Sequence, residues 1–157
     1  MITINLPDDR KYEFSHVVFD YNGVLAEDGR ISKQVKILLA ELTKKVSVVV
    51  ITADTFGTAQ EELADVADVE LLILPDDKDG TEKARYVAEF GQGKTVVVGN
   101  GVNDQPMFFV AALKVCVIGP EGVSSGIMAA ANVIVKSPED AIGLFLYPER
   151  LLATLRS

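Results

Sequence analysis

Four short clusters in this sequence carry side chains able to work on a phosphoryl group. Asp20 follows the apolar run Val17-Val18-Phe19 and precedes the turn pair Asn22-Gly23. Thr52, Ala53 and Asp54 follow the β-branched run from Val46 to Ile51. Lys83 lies near the start of a predicted helix. Asn100, Asn103 and Asp104 belong to Gly99-Asn100-Gly101-Val102-Asn103-Asp104, directly after Thr95 to Val98. A carboxylate can attack phosphorus and form an aspartyl phosphate. A hydroxyl, a lysine and backbone N–H groups, here Thr52, Lys83 and the peptides at Gly23 and Ala53, can hold the phosphoryl oxygens. Mg²⁺ between carboxylate and phosphate would offset their repulsion. Taken singly, Asp20 caps a turn, Thr52 caps a strand end and Lys83 is a solvated helix lysine. It is their joint occurrence that points to chemistry.

The elements around these residues explain how they could meet. Residues 2–6 alternate and predict a strand, Pro7-Asp8-Asp9 a turn, and Tyr12 to Asp20 an extended run, so residues 1–15 read as a peripheral hairpin feeding the first core strand. Ser32 can cap a helix running to about Lys45. Further strands are predicted at Val46–Ile51, Glu70–Leu74, Thr95–Val98, Lys114–Ile118 and Val133–Val135. Helices are predicted between them, at about Thr58–Ala64, Thr81–Phe90, Pro106–Leu113 and Val123–Ala130, with one or two short helices in the tail 138–157. Uniformly apolar strands alternating with helices predict an α/β, three-layer, Rossmann-like fold: a mainly parallel sheet flanked by helices, in one domain over 1–157. In such sheets ligands bind beyond the carboxyl ends of the strands, where three of the polar clusters fall.

Bulk properties exclude several other classes. Fifteen basic residues against 23 acidic ones give a net charge of −8, which argues against nucleic acid and against an anionic membrane surface. The single cysteine, Cys116, lies in an apolar run and reads as a core thiol. The single histidine, His16, has no partner for a transition-metal site. Neither a signal-peptide pattern nor an apolar run long enough to span a bilayer is present, so a soluble cytoplasmic protein is expected.

The four clusters together resemble the haloacid dehalogenase (HAD) superfamily, and within it the phosphorylation domain of P-type ATPases and the small soluble P-type-ATPase-like proteins. Phe19-Asp20-Tyr21-Asn22-Gly23 is similar to the nucleophile motif, and Ile51-Thr52-Ala53-Asp54-Thr55-Phe56-Gly57-Thr58-Ala59 to the ATPase threonine motif. Lys83 falls where the family lysine falls, and Gly99 to Asp104 resembles the terminal acidic motif. The likeness covers roughly residues 16 to 147. It implies a Mg²⁺-dependent phosphatase with Asp20 as nucleophile and metal ligand. The Asn22 carbonyl would be a second ligand, with Asn100 and Asp104 on the metal, directly or through water. Thr52 and Lys83 would bind phosphate. Lys94, the competitor for the lysine role, begins a strand at the opposite edge, and Asp54 is also placed to cap the next helix.

Two positions depart from the family pattern. Asn22 stands where most phosphatases of the superfamily carry the Asp that protonates the leaving group, and an amide cannot exchange that proton. Asn100 stands where a metal-binding Asp is expected, so one charge is missing. The interval from Asp20 to Thr52 has room for a short flap and one helix, not for a cap or a nucleotide-binding domain. The expected substrate is a small phosphorylated molecule, while an open site suits a macromolecular substrate or closure by a neighbouring subunit of a homo-oligomer. The rival expectations are a non-catalytic relative that binds a phosphorylated ligand or a protein partner, and a receiver-like switch phosphorylated on Asp20. The terminal Asn100–Asp104 turn fits the receiver poorly.

Overall fold

The computed structural model describes residues 1–156. Strands β1 (Ile2–Asn5) and β2 (Lys11–Phe14) form a separate antiparallel pair, the hairpin expected at the start of the chain. Next come β3 (His16–Asp20), α1 (Lys33–Thr43), β4 (Ser47–Thr52), α2 (Ala59–Leu63) and β5 (Val69–Ile73). They are followed by α3 (Thr81–Phe90), β6 (Thr95–Gly99), α4 (Gln105–Val110), β7 (Leu113–Val117), α5 (Ser125–Ala130) and β8 (Val133–Val135). Helices α6 (Pro138–Leu146) and α7 (Pro148–Leu155) complete the order. The main sheet runs β5-β4-β3-β6-β7-β8, and every pair in it is parallel.

Period-two alternation distributes the valines of the central strands between two cores. Val17, Phe19, Val48, Val50, Val96 and Val98 face the layer built by α1, α6 and the hairpin. Val18, Val49, Ile51 and Val97 face α3, α4 and α5 through Val87, Met107, Phe108 and Ile127. Asp20 is two residues beyond Val18, so the same alternation turns it toward the α3 side, where Lys83 is. The apolar tail packs inward: Ile142, Leu144, Phe145 and Leu151 are buried in the first core.

Two boundaries differ from expectation. Helix α4 ends at Val110 rather than near Leu113. There the Ala112 N–H donates to the Thr95 carbonyl and Leu113 already pairs with Val96, so sheet pairing takes these residues from the helix. Helix α5 starts at Ser125 rather than Val123, because the Ser124 hydroxyl caps it by accepting from the Ile127 N–H. Between β3 and α1 there is a tight flap held by bridges Asn22–Ala26 and Glu27–Arg30, with no cap domain. No helix is long and apolar enough to cross a membrane among the described residues.

Candidate active site

The centre of the site is an ion-paired triad. Lys83 Nζ lies 2.9 Å from Asp20 Oδ1 and 2.9 Å from Asp104 Oδ1. All three residues are nearly fully buried, Asp20 at 8% exposure, Lys83 at 1% and Asp104 at 0%. Burial and the nearby Asp104 carboxylate push the Asp20 carboxyl up to about 7, against the opposing pull of Lys83. Burial also works against the Lys83 ammonium, but the two carboxylates outweigh it and hold its pKa well above the ordinary lysine value.

Each member is positioned by its own element. Asp20 ends β3. Lys83 projects from the first turn of α3, whose N-terminus is fixed by Asp77: one carboxylate oxygen accepts from the Glu82 N–H at 3.1 Å and the other from the Lys83 N–H at 2.9 Å. Asp77 is itself buried. Gly80, in a left-handed conformation (φ 83°), lies against the Asn103 carbonyl, where any Cβ would collide with backbone. This packing locks α3 to the loop after β6. Asp104 holds that loop closed, its Oδ2 accepting from the N–H groups of Asn100 (3.0 Å) and Gly101 (3.1 Å). Gly99 leaves the room that the Asp104 side chain fills.

A cavity of about 520 Å³ opens over the triad, lined by Asp20, Asn22, Thr52, Ala53, Lys83 and Asn100, among others. The expected clusters therefore do converge. Thr52 is buried at the end of β4, with its hydroxyl accepting from the Asp54 N–H at 2.9 Å and still able to donate. Asp54 accepts from the Thr58 and Ala59 N–H groups at 3.1 Å each, and so caps the start of α2. Lys94 precedes β6, at the far edge of the sheet. His16 stacks on Phe90 at 4.7 Å, and Cys116 is buried in β7, its thiol pushed up by burial.

Two expected ligands have other work in this geometry. The Gly23 N–H donates to the Ala26 carbonyl at 2.8 Å, so it closes the flap turn rather than facing a phosphate. Both Asp104 oxygens are engaged, one by Lys83 and one by two backbone N–H groups, and Asp104 does not line the cavity. It acts as the hub that orients Lys83 and the Asn100 loop.

The remaining donors still suit a hard cation. Asn22 Oδ1 is buried without a hydrogen-bond partner, and the Asn22 backbone carbonyl accepts no hydrogen bond among the described residues. With the Asp20 carboxylate and the Asn100 amide they make an all-oxygen set, the type Mg²⁺ prefers. No group of three His, Cys, Asp or Glu side chains converges among the described residues, so a cation here would rely on amide and backbone oxygens. Sequence reasoning missed Asp77 and Glu121. Glu121 belongs to the loop after β7 and reaches the cavity wall beside Gly23, where a Cβ on that glycine would sit 2.5 Å from its Oε2 and would also strike the Asn100 amide.

No family model matches the chain. Over 63 residues it is 41% identical to an uncharacterized protein of Methanocaldococcus jannaschii, a match covering 40% of this chain and 68% of that one. Among solved structures it is similar to the 3-deoxy-D-manno-octulosonate 8-phosphate phosphatase of Moraxella catarrhalis in complex with magnesium, phosphate and KDO. That similarity has a TM-score of 0.71 at 15% identity and covers 91% of this chain and 94% of that one. The cobalt-bound deoxy-D-mannose-octulosonate 8-phosphate phosphatase of Haemophilus influenzae gives a TM-score of 0.70 at 14% identity, covering 92% of this chain and 94% of that one. Two further neighbours, with TM-scores of 0.64 and 0.66, carry HAD family or superfamily names.

Proposed function

We propose, from the premise that this chain has the haloacid dehalogenase fold and belongs to one family with the Methanocaldococcus jannaschii protein, that it is a Mg²⁺-dependent phosphohydrolase working through an aspartyl phosphate on Asp20. The observation that carries this reading is the Lys83 bridge between Asp20 and Asp104 at the floor of a cavity that Thr52 and Asn100 also line. A lysine buried against two carboxylates is costly to maintain for stability alone, since well-packed apolar residues would serve as well.

Asp20 attacks phosphorus through one carboxylate oxygen, and the bond to the leaving-group oxygen breaks. Lys83 and the Thr52 hydroxyl stabilise charge on the phosphoryl oxygens. Water then attacks the phosphorus, the bond between phosphorus and the Asp20 oxygen breaks to return the carboxylate, and the protons of the water leave with the released phosphate. A bound Mg²⁺ would supply charge neutralisation between carboxylate and phosphate, held by Asp20, the Asn22 carbonyl and Asn100. Asn22 donates no proton to the leaving group. General acid catalysis contributes roughly 10²–10⁴-fold, so phosphates with good leaving groups, aryl or acyl, are the better substrates.

Hydrolysis of p-nitrophenyl phosphate by the wild-type chain and by Asp20→Asn, each with and without Mg²⁺, tests this directly. Activity confined to wild type with Mg²⁺ is expected, and equal rates in the two proteins would sink the proposal. A non-catalytic, ligand-binding role is the second reading, favoured by the amides at positions 22 and 100. Mg²⁺-dependent capture of beryllium fluoride by the wild-type chain would argue against it.

A further inference from the structure

The cavity wall bears on the part of the substrate that leaves. Lys83 is the only cation lining the cavity among the described residues, and both its neighbours are carboxylates. Above this floor the wall is neutral, with Thr55, Val102, Asn103 and Ser124, except at one point. That point is Glu121, an exposed carboxylate beside Gly23. No Lys or Arg among the described residues forms an ion pair with it. A phosphate on Asp20 would thus meet the Lys83 ammonium at the floor, while the rest of the molecule would meet a single unpaired negative charge at the rim.

Resting on the phosphohydrolase reading above, we infer that the substrate is a phosphate monoester whose leaving group carries a positive charge, an ammonium placed against Glu121. The same wall rejects a second anionic group. Nucleoside polyphosphates, sugar bisphosphates and phosphorylated carboxylic acids would each bring negative charge to a rim with no cation to receive it. Like-charge juxtaposition of this kind is an effective means of excluding wrong ligands.

Calorimetric binding of three non-hydrolysable phosphonates to the full chain with saturating Mg²⁺ tests this, at mildly alkaline pH and low ionic strength. The probes are 2-aminoethylphosphonate, propylphosphonate and 3-phosphonopropionate, which differ in tail charge at similar size. The expected order is ammonium over neutral over carboxylate, each step about threefold to fivefold, the range for a partly exposed charge pair, and shrinking with added salt. Glu121→Gln should bring the ammonium-to-neutral ratio to about one. A carboxylate tail that binds as tightly as the ammonium tail, or a preference that survives Glu121→Gln, would overturn the assignment. Loss of Mg²⁺ affinity in Glu121→Gln would overturn it too, by giving that carboxylate to the metal. Binding of all three without preference refutes the charge assignment alone. Failure of all three together with inorganic phosphate refutes the phosphoryl-transfer reading beneath it.

Discussion

Replacing Lys83 by methionine removes the one cation between two buried carboxylates, and the structure fixes what this should cost. Both partners lie 2.9 Å from Nζ, and the two carboxylates are 8% and 0% exposed, so water from the cavity can reach Asp20 but cannot replace the ammonium at Asp104. Breaking a buried pair from one side typically costs about 3–5 kcal/mol. At about 2–4 °C per kcal/mol for a chain of this size, the melting temperature should fall by roughly 6–20 °C. The loss should depend on pH. With Lys83 gone, nothing opposes the burial and the Asp104 charge that already push Asp20 up, so the pair holds a proton at neutral pH and the variant is less impaired at pH 5 than at pH 8. Adding Asp104→Asn should recover about half of the lost stability, because the new amide can still accept from the Asn100 and Gly101 N–H groups and now donates toward Asp20. It should restore no activity. Urea unfolding at both pH values, with unchanged m, measures all of this. A cost for Lys83→Met below about 1 kcal/mol, the same at pH 5 and pH 8, would refute the picture of a sealed triad.

Asp77→Ala should destabilise by about 2 kcal/mol in urea unfolding, the combined effect of a lost helix cap and a buried N–H left unpaired on Lys83, and Asp77→Asn should cost about half of that. Asp20→Asn should raise the melting temperature of the metal-free protein at pH 8, with the rise smaller at pH 5 and gone below about pH 4. The sign follows from a carboxyl raised on folding from its ordinary value to about 7: its favourable contribution is present below about pH 4 and lost as pH rises through 7. A lower melting temperature for Asp20→Asn at pH 8 would contradict this. Asn22→Asp should raise turnover of alkyl phosphates by roughly 10²-fold, the lower end of the range for general acid catalysis, and do less for p-nitrophenyl phosphate. Steady-state rates on the two substrate types check it.

The sheet and the convergence of Asp20, Thr52, Lys83 and Asn100 were legible in the sequence for one physical reason. β-branched runs mark buried parallel strands, the polar residue ending each run is carried to the same edge, and the helix that follows a strand starts at that edge, which brings Lys83 there. What stayed hidden depends on the path of the chain rather than on residue type. Asp77 reads as part of a Pro-Asp-Asp turn, and its capping role requires a chain path that returns it to N–H groups five and six residues later. Glu121 reaches Gly23 only because strand order brings the loops after β3 and β7 together across the end of β6. Asp104 was visible as a site residue, but the closure of its loop, which engages both oxygens, is a property of backbone geometry that residue types do not report.

The central claim is that Asp20 becomes phosphorylated. Incubating the chain with Mg²⁺ and p-nitrophenyl phosphate, reducing with borohydride, and mapping the product by mass spectrometry reads this out, since an aspartyl phosphate is converted to homoserine. Homoserine at position 20, dependent on Mg²⁺ and on substrate, is the predicted result. Substrate turnover with no modification of Asp20, or modification at another carboxylate, would contradict it.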